Sequence, residues 1–538
     1  MARGFLGIDV GTGSARAGVF DAAGNLLGTA KRDIPLYLSA GEVAEQSSRS
    51  IWAAVCAATR EAVALSGLEP AQIGGIGFDA TCSLVVLGPA GEPISVGDSG
   101  DSERDIIVWM DHRAIEQAER INGTQHAVLN YVGGVISPEM ETPKLLWLKE
   151  NMPQSFAAAA SFFDLTDFLT WRATGSLARS SCTVTCKWTY LAHERRWDEG
   201  YFREIGLGEL AEEGFARIGT EIVAPGTALG GGLTPQAAVE LGLSPGIPVA
   251  AGLIDAHAGG VATIGAQGGQ GSLTSRLAYV MGTSACTMAS AAGPAFVPGV
   301  WGPYFDAMVP GYWLNEGGQS AAGAAIDHLV RLHPAFGDAT NRAQAEGLGV
   351  ADWLGRAALA RASSASATIA LTEDLHVVPD FLGNRAPLAD PEARALIAGL
   401  SLDSSVDSLV ALYVAGIAGL GYGLRQILAA LAESELAIDT IVVSGGAGRS
   451  PLVRQLLADT TGVSVVAPET AEPVLLGGAM LAAVAGGRYA DLPAAMAAMS
   501  RFADSYAPAP ATREEHDRRY AAYLKLQAVA QEIRRQQD

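Results

Sequence analysis

The chain has 538 residues, 49% of them hydrophobic, and a formal net charge of −21 at pH 7. At roughly 100–200 residues per unit the length predicts two large lobes or three to four smaller domains, so burying sizeable cores is no obstacle. The acidic balance argues against nucleic acid as a partner, because phosphate backbones call for basic surfaces; it leaves room for a small anion held by a few local cations and backbone amides.

The start, MARGFLGIDVGTGS, has one early arginine and then reaches Asp9. It lacks the long apolar region and cleavage site of a signal peptide. No unbroken apolar run of about 18 residues or more is evident, so no membrane span is expected and the chain is placed in the cytoplasm. Phe5 to Asp9 reads as a strand, Gly11-Thr12-Gly13-Ser14 as a turn, and Arg16 to Asp21 as a second strand. Ala22 to Asn25 is a second turn and Leu26 to Lys31 a third strand, with short turns making all three antiparallel. A helical pattern runs from Ser48 to about Ser66, followed by strands at Ile73–Asp79 and Ser83–Leu87. Val249 to Leu253 is an apolar strand that feeds a small-residue helix beginning at Asp255.

The opening device then returns. Leu277 to Met281 is a strand, Gly282-Thr283-Ser284 a turn, and Ala285 to Ala289 a strand. Helices are predicted from Ala321 to about Leu332 and from Val406 to about Ala432. The strand Thr440–Ser444, the turn Gly445-Gly446-Ala447-Gly448 and a helix from Pro451, capped by Ser450, come next. A short strand Val463–Val466 leads into a Gly/Ala-rich helix Pro473–Ala485, and a charged helix from Thr512 to about Arg535 ends the chain. The repeated turn predicts two duplicated α/β lobes, with residues 1–268 as the first, 269–505 as the second and 506–538 as a terminal helix. The segment from Gly265 to Gly271 reads as the hinge. The glycines at 416, 419, 421 and 423 sit inside a helical pattern rather than after a strand, so they predict close helix packing, not a dinucleotide site. The five cysteines, at 56, 82, 182, 186 and 286, do not form a disulfide framework in so long a chain. Cys182 and Cys186 lack a second pair, so buried thiols are expected rather than zinc.

Three turns carry candidate chemistry. Glycines let backbone approach a phosphate and point amides at it, and Thr12 and Ser14 add hydroxyls. The turn is not a P-loop, because Gly-Lys-Ser/Thr is missing and a strand follows where a helix should. Asp9, at a strand end, can hold magnesium. Gly282, Thr283 and Ser284 form the matching element, and Gly445, Gly446 and Ala447 make a cradle between strand and helix. Asp255 sits where strand gives way to helix, facing a cleft, with a helix-capping aspartate as the alternative.

These residues resemble the FGGY carbohydrate kinases over roughly residues 4–500. The matching pieces are GIDVGTGSARAGVFD, PVAAGLIDAHAGG, YVMGTSACTM, VVSGGAGRSPLVRQLLAD and PDFLGNRAPLADPEARALIAGLSLDSS. The resemblance implies an actin-like, ribonuclease H-like ATPase fold with a cleft between its lobes. It also implies ATP and Mg²⁺ as cofactors, with Asp255 as the general base for phosphoryl transfer. It puts the nucleotide phosphates at Gly11–Ser14 and Gly282–Ser284, and adenosine near Gly445–Ala447. GFDATCSLVVL resembles D-ribulose and ribitol kinases and nominates Asp79 and Thr81. WMDHRA nominates Asp111, while TCKWTY and NEGGQSAAG resemble L-ribulokinase segments and nominate Lys187 and Glu316. His112 and Arg113 read as structural or rim residues. The aromatic set Trp301, Tyr304, Phe305, Tyr312 and Trp313 could stack on a sugar or simply pack. D-ribulose is the expected substrate, with ribitol or L-ribulose as alternatives. A non-catalytic, nucleotide-gated binding protein of the same fold is the competing class. A homodimer is expected, with no nucleic-acid or membrane partner.

Overall fold

A computed structural model describes residues 4–40, 42–268 and 271–535. The hairpins expected at the start form one edge of a five-stranded sheet. Leu26–Asp33 pairs antiparallel with Ser14–Phe20, which pairs antiparallel with Gly4–Val10. Ile73–Ala80 then adds in parallel, and the two-residue strand Leu253–Ile254 adds in parallel beyond it. Gly4–Val10 is buried at every position, whereas Leu26–Asp33 has no buried residue, as suits a central and an edge strand. The helix Ser48–Ser66 covers one face; Ser47 caps it through Ser50 N, and Gly67 ends it in the left-handed conformation.

The second half repeats this order in a seven-stranded sheet. Trp313–Gln319, Ala285–Ala291 and Arg276–Met281 are antiparallel, and Thr440–Ser444 and Ser464–Pro468 follow in parallel. Trp301–Phe305 and Phe502–Tyr506 extend its two edges. Three antiparallel strands followed by two parallel ones, twice over, make the molecule a two-lobed fold built on a duplicated sheet. A further five-stranded sheet, which includes Leu84–Leu87, is an addition to the first half.

The helices Asp255–Ile264 and Pro473–Ala485 lie against each other at the centre. Backbone meets backbone there. A Cβ on Gly477 would lie 2.6 Å from the Ala258 carbonyl carbon, and one on Gly77 would lie 2.9 Å from the Gly478 carbonyl carbon. The helix Pro473–Ala485 thus rests on the first sheet through glycine, with no side chains interlocked at these points.

Two expectations need correction. Only Leu253–Ile254 forms a ladder in the segment predicted as strand from Val249; upstream, a single bridge joins Val249 to Ile76. The other side of that segment is occupied by a loop, with Leu229 N donating to Val249 O and Ala251 N to Thr227 O. Ser450 stands at its predicted cap position, but its hydroxyl makes no capping bond. The 28-residue helix Val406–Glu433 is long and apolar enough by length and composition to cross a membrane, but Asp407 and Arg425 interrupt its apolar run and 78% of its most apolar window is buried inside the protein, as in a core helix. Its glycines do what the pattern implied: Cβ atoms at Gly416 and Gly423 would press on Leu329 and Gln319. Arg276 binds the stretch before the second sheet by donating to the carbonyls of Ile264, Ala266 and Gly268 at 2.9, 2.7 and 2.8 Å. Gly269 and Gln270, part of the expected hinge and boundary, lie outside the described residues.

Candidate active site

One cavity of about 1030 Å³ runs between the two sheets. Its walls bring together Asp9, the turn Gly11–Ser14, Ser284, Gly445 and Gly446 with Thr81, Lys187, Asp255 and Glu316. These residues span more than 400 positions of sequence and come from both halves of the duplication.

The phosphate-turn candidates have the geometry that their composition implied. Gly11 N bonds to Ser14 O at 3.0 Å, closing the first hairpin, and Gly282 N bonds to Ser284 O at 2.8 Å, closing the second. A Cβ at Gly13 or Gly446 would meet nothing within 4 Å, so both positions open onto free space. Gly445 has φ +89°, which disfavours other residues there. Thr12 Oγ1 accepts from Trp109 Nε1 at 2.9 Å, which leaves its own proton free to donate. Gly282 and Thr283, half-buried and exposed, are not among the lining residues and use their carbonyls to start the helix Gly323–Arg331: Gly323 N donates to Gly282 O, and Ala322 N and Ala324 N to Thr283 O. Ser284 is the member of that turn that reaches the cavity. Gly445 and Gly446 line the cavity at the third turn.

Asp9 and Arg16 stand opposite each other across the first hairpin. Arg16 Nε donates to Asp9 Oδ2 at 2.7 Å, and its NH1 reaches Glu472 at 2.8 Å, ahead of the seam helix. Both Arg16 contacts to Asp9 use Oδ2. Asp9 therefore offers a hard oxygen, Oδ1, at the floor of the cleft beside a turn with room for phosphate, and this donor set fits a magnesium–nucleotide complex.

Asp255 begins the helix Asp255–Ile264, and among the described residues its Oδ1 accepts only from the neighbouring Ala256 N, at 2.7 Å. It caps no further amide. Burial and the charge of Asp9 raise its carboxyl from the ordinary 3.8 to about 6, so it is ionised at neutral pH but basic for a carboxylate. Glu316, on the strand Trp313–Gln319, behaves oppositely. Burial opposes its charge, but His257, Lys187 and Arg385 outweigh that and hold it at about 2. Lys187 ends the helix Ser181–Lys187 and lies 5.6 Å from the centre of the Trp301 ring. Burial disfavours its charge, yet neighbours including Glu316 keep it well above the ordinary lysine value.

Two sequence candidates are corrected. Asp79 does not line the cavity. It is fully buried, neither carboxyl oxygen has a hydrogen-bond partner, and Oδ2 faces Gly478 of the helix packed over it. Burial first, then Asp9 and Asp255, push it well above the carboxylate range, so it is a neutral acid under the cleft floor. Asp111 is also fully buried and absent from the lining. Its oxygens accept from Ala44 N at 2.7 Å, from Arg113 N and Nε at 2.9 Å and from another Arg113 nitrogen at 2.8 Å. It is a structural ion pair, and Arg113 is structural with it. Of the aromatic set only Trp301 lines the cavity; Tyr304 is buried, and Trp313 packs on Phe305, Tyr131 and His193. All five cysteines are free, four of them buried, and no group of three or more His, Cys, Asp or Glu side chains suited to a metal occurs among the described residues.

Four lining residues were not nominated from the sequence: Trp109, Cys286 and Arg385, which stand inside the matching segments WMDHRA, YVMGTSACTM and PDFLGNRAPLAD, and Glu139, which lies outside them. Arg16 was legible in principle, because a four-residue turn centred between Thr12 and Gly13 puts positions 9 and 16 opposite each other.

Known proteins match at both levels. The N-terminal domain model of the FGGY family of carbohydrate kinases matches residues 5–262, and its C-terminal domain model matches residues 277–486. A human FGGY carbohydrate kinase domain-containing protein is 47% identical over 97% of this chain and 96% of its own length. A D-ribulokinase from Saccharomyces cerevisiae is 39% identical over 90% of this chain and 72% of its own. Among solved structures, a xylulose kinase from Rhodospirillum rubrum superposes with a TM-score of 0.80 at 22% identity, over 99% of each chain. That likeness bears on the fold: two actin-like lobes around a cleft. The competing idea of a non-catalytic nucleotide-gated module gives way to these matches: the chain belongs to the FGGY family of carbohydrate kinases and is a sugar kinase.

Proposed function

We propose that this enzyme transfers the γ-phosphoryl group of ATP to the terminal hydroxyl of D-ribulose, giving D-ribulose 5-phosphate and ADP. The observation that carries the reading is the single cavity in which turns from both halves meet Asp255, Lys187 and Glu316. The name of the yeast relative, a D-ribulokinase, supports the choice of sugar.

Phosphoryl transfer asks the protein mainly for positioning and charge neutralisation. The turns Gly11–Ser14 and Gly282–Ser284 approach the phosphates from opposite lobes, and Gly445–Ala447 receives the nucleoside. Asp9 Oδ1 would hold magnesium, which supplies positive charge against the phosphate oxygens. Asp255 accepts the proton of the sugar hydroxyl as its oxygen bonds to phosphorus and ADP departs; a carboxyl near 6 is a stronger base than an ordinary aspartate, yet still ionised at pH 7. Lys187, Glu316 and Thr81 bind the remaining sugar oxygens. Asp79 and Asp111, outside the lining, act by shaping the floor and wall. We place the lobe boundary at 268/269, just ahead of the second sheet, and the helix Arg513–Arg535 as an appendage of the second lobe.

A primary hydroxyl reaches a phosphate with least crowding. One mispaired buried hydroxyl costs about 1–3 kcal/mol, or roughly 5- to 150-fold in kcat/KM. Initial rates of ADP release with D-ribulose, ribitol, L-ribulose, D-xylulose and glycerol test the proposal, with the phosphorylated carbon read by NMR. D-ribulose should lead, followed by ribitol. A tenfold preference for D-xylulose or glycerol would remove the sugar assignment and leave the kinase standing.

A further inference from the structure

Three charged groups at the sugar end arrive on three separate elements. Asp255 comes on the helix Asp255–Ile264, Lys187 on the helix Ser181–Lys187, and Glu316 on the strand Trp313–Gln319 of the second sheet. One buried imidazole touches all three elements. His257 is on the first turn of the Asp255 helix and is 1% exposed. Its Nε2 lies 3.2 Å from Glu316 Oε2, and its Nδ1 lies 3.1 Å from Sγ of Cys182, on the Lys187 helix. Cys182 Sγ also accepts from Ile254 N at 3.4 Å, tying that helix to the residue just before Asp255. The Glu316 contact crosses from one half of the duplication to the other.

We infer that His257 is the positioning residue of the sugar site: it fixes the Glu316 carboxylate, and through Cys182 the Lys187 helix, relative to Asp255. The inference rests on the proposed role of Glu316 as a sugar contact. A planar ring with two polar nitrogens suits this place, because each nitrogen meets one neighbour and the ring cannot swing between them. Glu316 has no other hydrogen-bond partner among the described residues, so loss of the imidazole leaves a buried carboxylate unanchored. His257 does not line the cavity and touches no substrate; it acts through Glu316.

Two replacements separate hydrogen bonding from packing. H257F keeps a flat ring and removes both polar contacts; H257Q gives up the ring but keeps an amide donor for Glu316. Steady-state kinetics with D-ribulose and ATP should show the sugar KM raised at least about tenfold in H257F, raised less in H257Q, and the ATP KM near wild type in both. In an E316Q background, where the anchored carboxylate is already gone, adding H257Q should change the sugar KM little. Equal or better sugar binding in H257F than in H257Q would make the role one of shape and overturn the inference. Full additivity of H257Q with E316Q would overturn it too, and that cycle serves even if H257F does not fold. E316Q separates the two levels: a raised sugar KM in E316Q beside wild-type values in the His257 variants removes this inference alone, while a wild-type sugar KM in E316Q removes the Glu316 contact and this inference with it.

Discussion

Asp255→Asn should abolish turnover and, at the same time, make the protein more stable. Asparagine has nearly the same shape, and its Oδ1 can still accept from Ala256 N, so the helix start is preserved. What disappears is a charge that the site holds at a cost. A carboxyl raised from 3.8 to about 6 by burial and by Asp9 carries a charged-state penalty of about 3 kcal/mol at about 1.4 kcal/mol per tenfold change in acidity; the partial exposure of Asp255 screens this to roughly 1–2 kcal/mol. The sign follows from linkage. Below pH 3.8 the carboxyl is neutral in folded and unfolded chains alike. As the pH climbs toward and past 6 the unfolded chain has released its proton while the folded one resists, so the wild type loses stability that the neutral variant retains. Calorimetry at pH 8 should put the melting temperature of the variant roughly 1–2 °C above that of the wild type, and the gap should close at pH 4. A coupled assay should show kcat down at least about 100-fold, and wild-type kcat/KM for sugar should fall about tenfold per pH unit below about 6. A variant that is less stable at pH 8, or that turns over at near the wild-type rate, would show Asp255 to be a structural residue and refute the reasoning.

Two other perturbations test the remaining parts. Thr12→Val removes a cavity-lining hydroxyl that accepts from Trp109 and is proposed to face the phosphates, and Gly446→Asp puts bulk and negative charge into open space; calorimetric titration should show both weakening ATP more than sugar, and unchanged nucleotide affinity in both would remove the turns from the nucleotide site. Gly477→Ala places a Cβ 2.6 Å from the Ala258 carbonyl carbon and must push the Asp255 helix aside, so kcat should fall about tenfold to a hundredfold even though alanine favours the helix by about 1 kcal/mol; wild-type kcat would mean that the seam has slack.

The architecture was largely legible, because glycine turns between β-rich runs and the 3.6-residue pattern of helices such as Val406–Glu433 are local signals. The cleft was partly legible for the same reason: the turns and Asp255 stand at strand ends. Asp79 and Asp111 were not, because their fate is decided by what packs over them. Asp79 is paired in register with Asp9 on the neighbouring strand, and only the helix Pro473–Ala485, almost 400 residues later, covers the one and leaves the other at the cleft. His257 was equally hidden: its neighbours Cys182 and Glu316 lie 75 and 59 residues away in sequence. Pairings across such distances leave no periodic trace in the chain.

The seam between Asp255–Ile264 and Pro473–Ala485 also has a mechanical meaning. Interdigitated side chains work like gear teeth and lock two helices at one angle, whereas bare backbone pressed on backbone works like a bearing. Where Gly477 meets Ala258 the two helices touch as backbone on backbone, so a small change of angle at that point turns no side chain through a rotamer. Asp255 sits at the start of one of the two helices that meet at this seam, so the contact that sets their angle also sets the direction of its carboxylate.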